Sequence, residues 1–485
     1  MKLVLNGHDE RYVVEQGMLN LFPGERPVYE PIGPGDDSWA VVTLREDDRC
    51  HVTVELCFRG KSLPYSLDVP LVGDEFQREG IRRRAIGKCF FLAARALTGH
   101  TPPWGMLTGV RPVKLPTRAL LSGATPLQAK QELREEYYVS PDRAALAVDC
   151  AQASIAAQRS LKEGEVSLYL GIPFCPTRCA YCSFVSADVG RTLTLVEPYV
   201  DALLKEIDGT ARVLTESGRT IRSFYMGGGT PTTLSARQLD RVLTRCEQVL
   251  PLEGCTELTV EAGRPDTINR EKLEVLRAHG VGRVSINPQT LEDHVLEAIG
   301  RKHSSGDIQT AYDLARKVGF DCINMDLIAG LPLDSLGGFR RSLDGVLAMG
   351  PENITVHTLA MKKGSTLIQR KGALPGGEEV AQMLDYSRTT LSGGYLPYYL
   401  YRQKYMSGSL ENVGWARPGT ESLDNSVRME ELHSVISLGA GGVTKLIDPQ
   451  SGRLLRLSNP KYPQDYLSAG EKLAEQQREM LAFFR

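Results

Sequence analysis

The sequence lacks the features that mark several common classes of protein. No apolar run approaches the length that a membrane-spanning helix needs, and the N-terminal segment Met1–Glu10 becomes polar too early for a secretory signal peptide. The formal net charge is only −2 over 485 residues, so the chain has no overall basic field of the kind that nucleic-acid-binding proteins use. These absences favour a cytoplasmic protein that binds neither a membrane nor nucleic acid.

A disulfide framework is also absent, because ten cysteines in a chain of this length do not reach the density of a disulfide-stapled fold. Three of the cysteines are clustered, and a cluster of free thiols requires a reducing compartment, as the cytoplasm provides. The other seven are scattered, mostly within apolar segments, and we interpret them as small buried hydrophobic residues: Cys50, Cys57, Cys89, Cys150, Cys246, Cys255 and Cys322.

The clustered cysteines, Cys175, Cys179 and Cys182, are spaced C-x3-C-x2-C. Zinc sites and fully protein-ligated iron–sulfur clusters use four ligands, whereas three thiolates leave one corner of a four-iron, four-sulfur cluster open to an outside molecule. The alternative is three structural or zinc-binding thiols, but zinc ligands usually come in two separated halves, and the nearest later cysteine, Cys246, is alone. The alternating run Val166–Leu170 predicts a strand, so the cysteine loop lies at the carboxyl end of a strand, where α/β proteins place their active sites.

Strand-like and helix-like segments alternate from residue 166 to residue 401, which predicts a parallel sheet with helices outside it. Six strand–helix units, rather than eight, indicate an incomplete barrel. The predicted strands are 166–171, 223–226, 257–261, 283–287, 322–327, 353–358 and 397–401. The predicted helices are 196–217, 235–250, 270–279, 306–318, 335–349 and 378–391. We therefore predict an α/β protein with an N-terminal α+β domain (1–160), a partial barrel (161–402) and a C-terminal segment that covers the open side of the barrel (403–485).

The N-terminal part shows four alternating segments followed by a helical pattern over Glu75–Leu97 and by two or three further helices from about Pro116 to Leu161. The basic cluster Arg82–Arg84 could contact phosphate or an acidic substrate, or it could be a solvated helix face. The sequence of this part does not indicate a function. Its predicted strands are Lys2–Asn6, Trp39–Leu44, His51–Phe58 and Leu63–Val69.

Two of the predicted strands in the second part end in residues suited to ligand binding. After one strand, the run Gly227–Gly229 lets the backbone approach a ligand closely, and it lacks the lysine and spacing of a phosphate loop. After the next strand stands Glu261, a carboxylate that is costly to bury without a donor. Glu261 could have a structural role, in a salt bridge with Arg264, or a functional role, in contact with a cofactor.

Further polar residues follow the later strands. Gln289 offers an amide to a polar ligand, and Arg301 could clamp a carboxylate with two hydrogen bonds. Asp326 lies amid apolar residues and could accept ribose hydroxyls. His357 stands in the sixth strand, where a core histidine is the plain structural interpretation.

The three-cysteine spacing resembles that of the radical S-adenosylmethionine (SAM) enzymes, whose open iron is chelated by the amino and carboxylate groups of SAM. The combined order of Tyr169, the cysteine loop, Gly227–Thr232, the strand-end polar residues and Asp326–Pro332 resembles the oxygen-independent coproporphyrinogen III oxidase family. The N-terminal part and the stretch Tyr399–Lys404 resemble its coproporphyrinogen dehydrogenase, HemZ-type branch.

The resemblance implies two cofactors, a [4Fe-4S] cluster and SAM. It implies that Cys175, Cys179 and Cys182 ligate the cluster, and that Tyr169 is a catalytic residue near both cofactors. The positions that match SAM-binding residues of the family are Tyr169, Gly228, Gly229, Thr230, Glu261, Gln289, Arg301, Asp326, Ile328 and Ala360.

The implied reaction is the oxidative decarboxylation of two propionate side chains of coproporphyrinogen III to vinyl groups, giving protoporphyrinogen IX in haem biosynthesis. The implied partners are this tetrapyrrole and an electron donor such as flavodoxin or ferredoxin. Propionates need cationic partners, and the candidates near the later strand ends are Lys362, Lys363, Arg402 and Lys404.

Two other functions remain open. One is a family member that acts on haem or another tetrapyrrole, for which His357 is the nearest candidate axial ligand. The other is a binding protein in which the cluster is only structural. The sequence departs from the family pattern at Ser183-Phe184, where the oxidase has Gly-Cys, and at Glu411, where histidine is usual.

Overall fold

The computed structural model describes residues 1–182, 187–361, 365, 367, 374–403 and 406–485. Within them the chain forms two compact units, Met1–Val148 with Gly408–Leu410, and Asp149–Ser407 with Glu411–Arg485. Ser183, Phe184, Lys362, Lys363 and Lys404, which the sequence analysis singled out, lie outside the described residues. The predicted boundaries at residues 160 and 402 stay predictions.

The first unit is a four-stranded sheet with helices packed against it. Strand β1 pairs in parallel with β2, and β2, β3 and β4 form an antiparallel series, in the order β1-β2-β3-β4. All four predicted strands are present, whereas the first helix was not predicted. The elements are β1 (Lys2–Asn6), α1 (Arg11–Leu21), β2 (Trp39–Glu46), β3 (Arg49–Phe58), β4 (Lys61–Pro70), α2 (Glu75–Thr98), α3 (Lys114–Leu121), α4 (Pro126–Glu135) and α5 (Pro141–Ser160), the last of which continues into the second unit.

The core of this unit follows from the period-two pattern of its strands. In β2, Ala40, Val42 and Leu44 are buried, whereas Val41 and Thr43 between them are half-buried. The buried strand residues pack in one hydrophobic cluster with side chains of α1 and α2. Helix α2 begins at a capping box between Asp74 and Gln77 and ends at Gly99 with φ of 69°.

The basic cluster on α2 is largely neutralised by carboxylates of the same unit. Arg82 forms ion pairs of 2.8 Å with both Glu46 and Glu75. Arg83 contacts Glu10 at 3.1 Å and Glu79 at 2.5 Å. These pairs favour the solvated helix face over a phosphate site.

The second unit contains an eleven-stranded sheet and most of the helices. Its strands are β5 (Glu165–Ile172), β6 (Phe174–Cys175), β7 (Ala187–Asp188), β8 (Thr220–Gly228), β9 (Glu257–Gly263), β10 (Arg283–Ile286), β11 (Cys322–Ala329), β12 (Asn353–Thr358), β13 (Leu396–Tyr401), β14 (Asn412–Ala416), β15 (Val435–Leu438), β16 (Val443–Ile447) and β17 (Leu454–Ser458). Its helices are α6 (Val189–Glu216), α7 (Ala236–Val249), α8 (Arg270–Ala278), α9 (Asp293–Ala298), α10 (Ser305–Val318), α11 (Leu336–Met349), α12 (Gly377–Leu391), α13 (Leu423–Glu430), α14 (Pro463–Leu467) and α15 (Gly470–Phe484). The short strands β6 and β7 pair only with each other.

The strand order of the large sheet is β13-β14-β12-β11-β10-β9-β8-β5-β15-β16-β17. From β12 to β15 every neighbouring pair is parallel. The predicted parallel sheet with intervening helices is therefore confirmed, and all six predicted helices are present. The curvature into an incomplete barrel stays a prediction.

Strands that were not predicted extend this sheet at both ends. Strand β14 pairs antiparallel with β12 and with β13, so β13, the last predicted strand, does not adjoin the parallel series directly. At the other end, β15 joins β5 in parallel, and β16 and β17 add an antiparallel edge. Throughout the described ranges, no helix has both the length and the apolar character needed to cross a membrane.

Candidate functional site

The cysteine loop begins where β5 ends. Cys175, Cys179 and Cys182 are all half-buried, and the backbone N–H of Cys182 donates to the carbonyl of Cys179 at 3.1 Å. Arg264 lies beside this loop, with Nη1 2.8 Å from Thr177 Oγ1 and 4.0 Å from Cys179 Sγ. The loop therefore presents three thiols next to a guanidinium.

A single metal ion would need ligands that converge on one point. Among the residues that the structure describes, no three His, Cys, Asp or Glu side chains form such a group. A four-iron, four-sulfur cluster has a different requirement, since each thiolate binds a different corner. Three thiols are the number that a cluster with one open corner needs.

The glycine-rich loop after β8 packs directly against the cysteine loop. Gly229 N–H donates to Ile172 O at 2.7 Å, and Thr230 N–H donates to Phe174 O at 2.8 Å. A Cβ atom on Gly229 would lie 2.5 Å from Phe174 O, so only glycine fits there. As a result, Thr230 Oγ1 lies 3.5 Å from Cys175 Sγ.

Tyr169 and Gly228 lie close to each other at the end of β5. Gly228 has φ of +113°, and a Cβ atom on it would lie 3.1 Å from the Ile172 backbone and 3.3 Å from the hydroxyl of Tyr169. Burial raises the pKa of Tyr169 well above its ordinary value, with the Glu261 charge adding to the effect. The phenol is therefore neutral.

Two residues that the sequence analysis missed complete the surroundings of Tyr169. Tyr225 is its register partner on β8, and the two rings stack with centroids 6.2 Å apart and an interplanar angle of 19°. The guanidinium carbon of Arg428 lies 4.4 Å from the centroid of the Tyr169 ring and 5.4 Å from that of Tyr225. A repeated Tyr-x-Gly at 169–171 and 225–227 was a usable signal for Tyr225, whereas nothing local marks Arg428.

Glu261 accepts a hydrogen bond from the Tyr225 hydroxyl at 2.6 Å, and a second one comes from the backbone of Gly228. Burial raises the pKa of Glu261 to about 7, with the charge of Asp326 adding and the Tyr225 hydrogen bond opposing. The structural alternative of a salt bridge with Arg264 is wrong. Arg264 forms two hydrogen bonds with Asp266, at 2.9 and 2.8 Å.

Backbone hydrogen bonds bring three predicted residues together at the next strand ends. Gln289, with φ of 68°, donates its N–H to Asp326 O at 2.8 Å, and Ile328 N–H donates to Gln289 O at 2.9 Å. The carboxylate of Asp326 accepts a hydrogen bond from Asn324 at 2.8 Å and lies 3.6 Å from His357 Nε2. Burial acts to raise the pKa of Asp326, but the contacts with His357, Asn324 and Thr355 together outweigh burial, and the pKa is lowered. Asp326 is therefore ionised.

Arg301 lies between this group and the cysteine loop. Its Nη1 donates to Asn287 O at 2.5 Å, and its Nη2 donates to the Tyr181 hydroxyl at 3.1 Å. Ala360 follows β12 and bridges to Met406, which ties it to the segment after β13 rather than to the Tyr169 and Glu261 group.

Arg402 is the one described member of the four substrate-binding candidates, and it is only 6% exposed. Burial lowers the pKa of Arg402 to about 10, against the charge of Glu411, which is 2% exposed. Its charge is therefore directed into the protein rather than to solvent.

The residues at these strand ends fit a cluster with SAM. The loop with the three half-buried thiols packs against the glycine-rich loop after β8. A Cβ atom at Gly229 would fill the space between the two loops. Two carboxylates, Glu261 and Asp326, face the same region and suit a cationic, hydroxyl-bearing cofactor.

Comparisons with known proteins agree with this geometry. Residues 169–343 match the Radical SAM superfamily. The chain is 37% identical to the oxygen-independent coproporphyrinogen-III oxidase-like protein HemZ of Bacillus subtilis, over 96% of this chain and 95% of that protein. It is 35% identical to the heme chaperone HemW of the same species, over 45% of this chain and 58% of HemW.

Among solved structures, coproporphyrinogen III oxidase (HemN) of Escherichia coli is similar, with a TM-score of 0.53 at 24% identity, over 67% of this chain and 73% of HemN. This similarity establishes the fold. The radical SAM superfamily uses a [4Fe-4S] cluster and SAM, which are therefore the cofactors of this protein. The chain belongs to the radical SAM superfamily and, within it, to the family of oxygen-independent coproporphyrinogen-III oxidase-like proteins.

Proposed function

We propose that Cys175, Cys179 and Cys182 bind the [4Fe-4S] cluster at the end of β5. The observation that carries this proposal is the 3.5 Å approach of Cys175 Sγ to Thr230 Oγ1, because it joins the thiol loop to the glycine-rich loop. Nη1 of Arg264 lies 4.0 Å from Cys179 Sγ and places a positive charge beside this loop.

SAM is proposed to bind along the adjoining strand ends. Gly228 and Gly229 leave room for close backbone approach, and Glu261 accepts the ammonium group. Asp326, whose pKa is lowered by its contacts with His357, Asn324 and Thr355, accepts the ribose hydroxyls. The full proposed set is Tyr169, Gly228, Gly229, Thr230, Glu261, Gln289, Arg301, Asp326, Ile328 and Ala360.

Within this set, the roles of Arg301 and Tyr169 follow from their surroundings. Arg301 remains charged at any physiological pH and is oriented by Asn287 O and Tyr181 towards the cysteine loop, where it can bind the carboxylate of SAM. Tyr169, neutral and stacked on Tyr225, excludes water from one side of the site.

The proposed reaction is the oxygen-independent oxidative decarboxylation of coproporphyrinogen III propionates to vinyl groups, giving protoporphyrinogen IX. When bound, the two cofactors would supply a radical that removes one hydrogen atom from each propionate. Loss of carbon dioxide, and of one electron to a one-electron acceptor, would then leave the vinyl group. Support comes from the full-length similarity to a protein named as coproporphyrinogen-III oxidase-like. Lys362, Lys363 and Lys404 would pair with the substrate propionates, whereas Arg402, the fourth candidate, is buried near the charge of Glu411. A donor such as flavodoxin or ferredoxin would reduce the cluster in the cytoplasm.

An anaerobic assay tests this proposal. The reconstituted protein is mixed with SAM, a reductant and coproporphyrinogen III, and 5′-deoxyadenosine and decarboxylated porphyrin are followed by mass spectrometry. We expect both products together, neither from a Cys179→Ala variant, and both from a Cys255→Ala variant, which removes a thiol outside the site. Deoxyadenosine without a vinyl product would reject the substrate and leave the cofactor assignment in place.

A second candidate function is haem binding of the kind named in the HemW relatives. On this chain the candidate histidine is His357, whose Nε2 lies 3.6 Å from Asp326. Haem titration distinguishes the two functions. A Soret band that shifts on His357→Ala substitution, in a protein that makes no vinyl product, would favour the haem-binding function.

A further inference from the structure

Helix α13 brings a charged pair to the proposed SAM site, and the proposed function gives it no role. The helix follows β14, which pairs with β12, and precedes β15, which pairs with β5. The chain therefore crosses, at α13, from one side of the parallel series to the other.

The N-terminus of α13 is anchored to the sheet. Glu257, the first residue of β9, accepts hydrogen bonds from Ser422 Oγ and from Leu423 N–H, both at 2.8 Å. Asn425 donates to the hydroxyl of Tyr398 on β13 at 3.0 Å. With contacts to two different strands, the helix has a defined position on the sheet.

The charged pair consists of Asp424 and Arg428, one helical turn apart. Asp424 is fully buried, and it accepts a hydrogen bond from Arg428 Nε at 2.5 Å. This pairing holds the guanidinium in one orientation, with its face over the rings of Tyr169 and Tyr225 at 4.4 and 5.4 Å. A cation over an aromatic face is attracted by the ring quadrupole, most strongly where water is excluded.

The contact continues from the rings to Glu261, because the hydroxyl of Tyr225 donates to Glu261 Oε1 at 2.6 Å. We propose that Arg428 is a positioning residue for SAM binding, which clamps the Tyr169 and Tyr225 rings and thereby orients the carboxylate of Glu261. This inference rests on the proposed role of Glu261 as the acceptor of the SAM ammonium group.

The test is calorimetric titration of SAM into the full-length, cluster-loaded protein without reductant. The main variant combines Arg428→Met with Asp424→Asn, so that no buried carboxylate is left without its counter-charge. We expect the Kd for SAM to rise about tenfold, while iron content and Tm stay unchanged. Asp424→Asn alone keeps an oxygen that can accept from Arg428 Nε, so the Kd for SAM should rise less than in the double variant. Arg428→Lys keeps the positive charge, so its Kd for SAM should lie between that of the unsubstituted protein and that of the double variant.

Arg340→Met is the matched control, because its guanidinium lies 4.8 Å from the Tyr386 ring, outside the proposed site. It should leave the Kd for SAM unchanged. An unaltered Kd in the Arg428→Met, Asp424→Asn variant would overturn the positioning role of Arg428 and leave the proposed SAM site in place. Failure of the unsubstituted protein to bind SAM would overturn the proposed site as well.

A Tyr225→Phe background shows whether Arg428 acts through the tyrosine. This substitution removes the hydroxyl that contacts Glu261 but retains the ring. If Arg428 acts through Tyr225, its effect should largely disappear once the Tyr225 hydroxyl is gone. Adding Arg428→Met and Asp424→Asn to the Tyr225→Phe variant should therefore raise the Kd for SAM by less than about twofold over Tyr225→Phe alone. The same tenfold rise in both backgrounds would contradict that route.

Discussion

Gly229 is the residue at which the cysteine loop and the glycine-rich loop approach most closely. Replacing Gly229 with alanine would place a methyl group 2.5 Å from Phe174 O, next to the first proposed cluster ligand. Because that neighbour is backbone, the cysteine loop itself must shift. We expect the Gly229→Ala variant to fold but to lose most of its reconstituted iron, measured per chain.

Gly254→Ala is the control, because the nearest atom to its added methyl group is Ile221 O at 3.9 Å. This variant should retain the iron content of the unsubstituted protein. Full iron content in Gly229→Ala would mean that the cluster does not depend on this loop contact.

The ionisation of Glu261 predicts a pH dependence of stability in the protein without SAM. Burial raises its pKa from 4.5 in the unfolded chain to about 7 in the folded chain, so folding favours the neutral carboxyl. Its contribution to the free energy of unfolding therefore falls as pH rises between these two values and stays constant above them.

Glu261→Gln removes this titration. Relative to the unsubstituted protein, the variant should gain about 1–2 kcal/mol in free energy of unfolding between about pH 5.5 and 8. Urea denaturation at several pH values measures this difference. Parallel pH profiles for the two proteins would show that Glu261 titrates normally.

At the scale of elements, helix α6 supports the strand that carries the cysteine loop. Buried Glu206 on α6 accepts hydrogen bonds from Gly439 N–H at 2.7 Å, Asn459 at 2.8 Å and Tyr466 at 2.5 Å. Tyr199, on the same helix, donates to Gly171 O at 2.7 Å and accepts from Ala440 N–H at 2.9 Å. The helix thus links the turn after β15 to the end of β5.

Glu206→Ala should lower the free energy of unfolding by about 3 kcal/mol or more, because three buried donors lose their acceptor. Chemical denaturation measures the loss. Glu216→Ala on the same helix is the control, since Glu216 is 54% exposed and its contact with Arg485 is 3.8 Å long, so its effect should stay within about 0.5 kcal/mol. Equal effects of the two substitutions would remove any special role for Glu206.

Elements with strong local signals were predictable. Helices α7 and α10 begin at capping boxes, Ser235 with Gln238 and Ser304 with Asp307, and the predicted and observed starts agree within one residue. Strands β14 to β17 were not predicted. They are short, and what makes them strands is pairing with distant segments, such as Val435 with Ser167.

At the scale of the whole molecule, the two compact units predict more than one unfolding transition. The first unit has its own hydrophobic core, in which Phe90 is fully buried. Phe90→Ala should destabilise that unit by about 3–5 kcal/mol and lower one calorimetric transition only. Phe224→Ala, in the second unit, should lower the other transition. A single transition lowered by both substitutions would show that the chain unfolds cooperatively.

The sequence by itself determined the parts of this protein that depend on short-range spacing. The C-x3-C-x2-C loop, Gly227–Gly229 and the strand-end residues Glu261 and Asp326 were all recognisable, because period-two and helical patterns place them at the same edge of a parallel sheet. The same stretch carries the resemblance that implied the radical SAM cofactors.

Only the tertiary structure decided which side chains complete the site. Arg428 lies more than 250 residues from Tyr169 in the chain, yet its guanidinium stands 4.4 Å from the tyrosine ring. Likewise, Glu261 contacts Tyr225 rather than the neighbouring Arg264, which binds Asp266. Periodicity reports which face of an element a residue occupies, but the partner on that face depends on strand order and on the path of connecting segments such as α13.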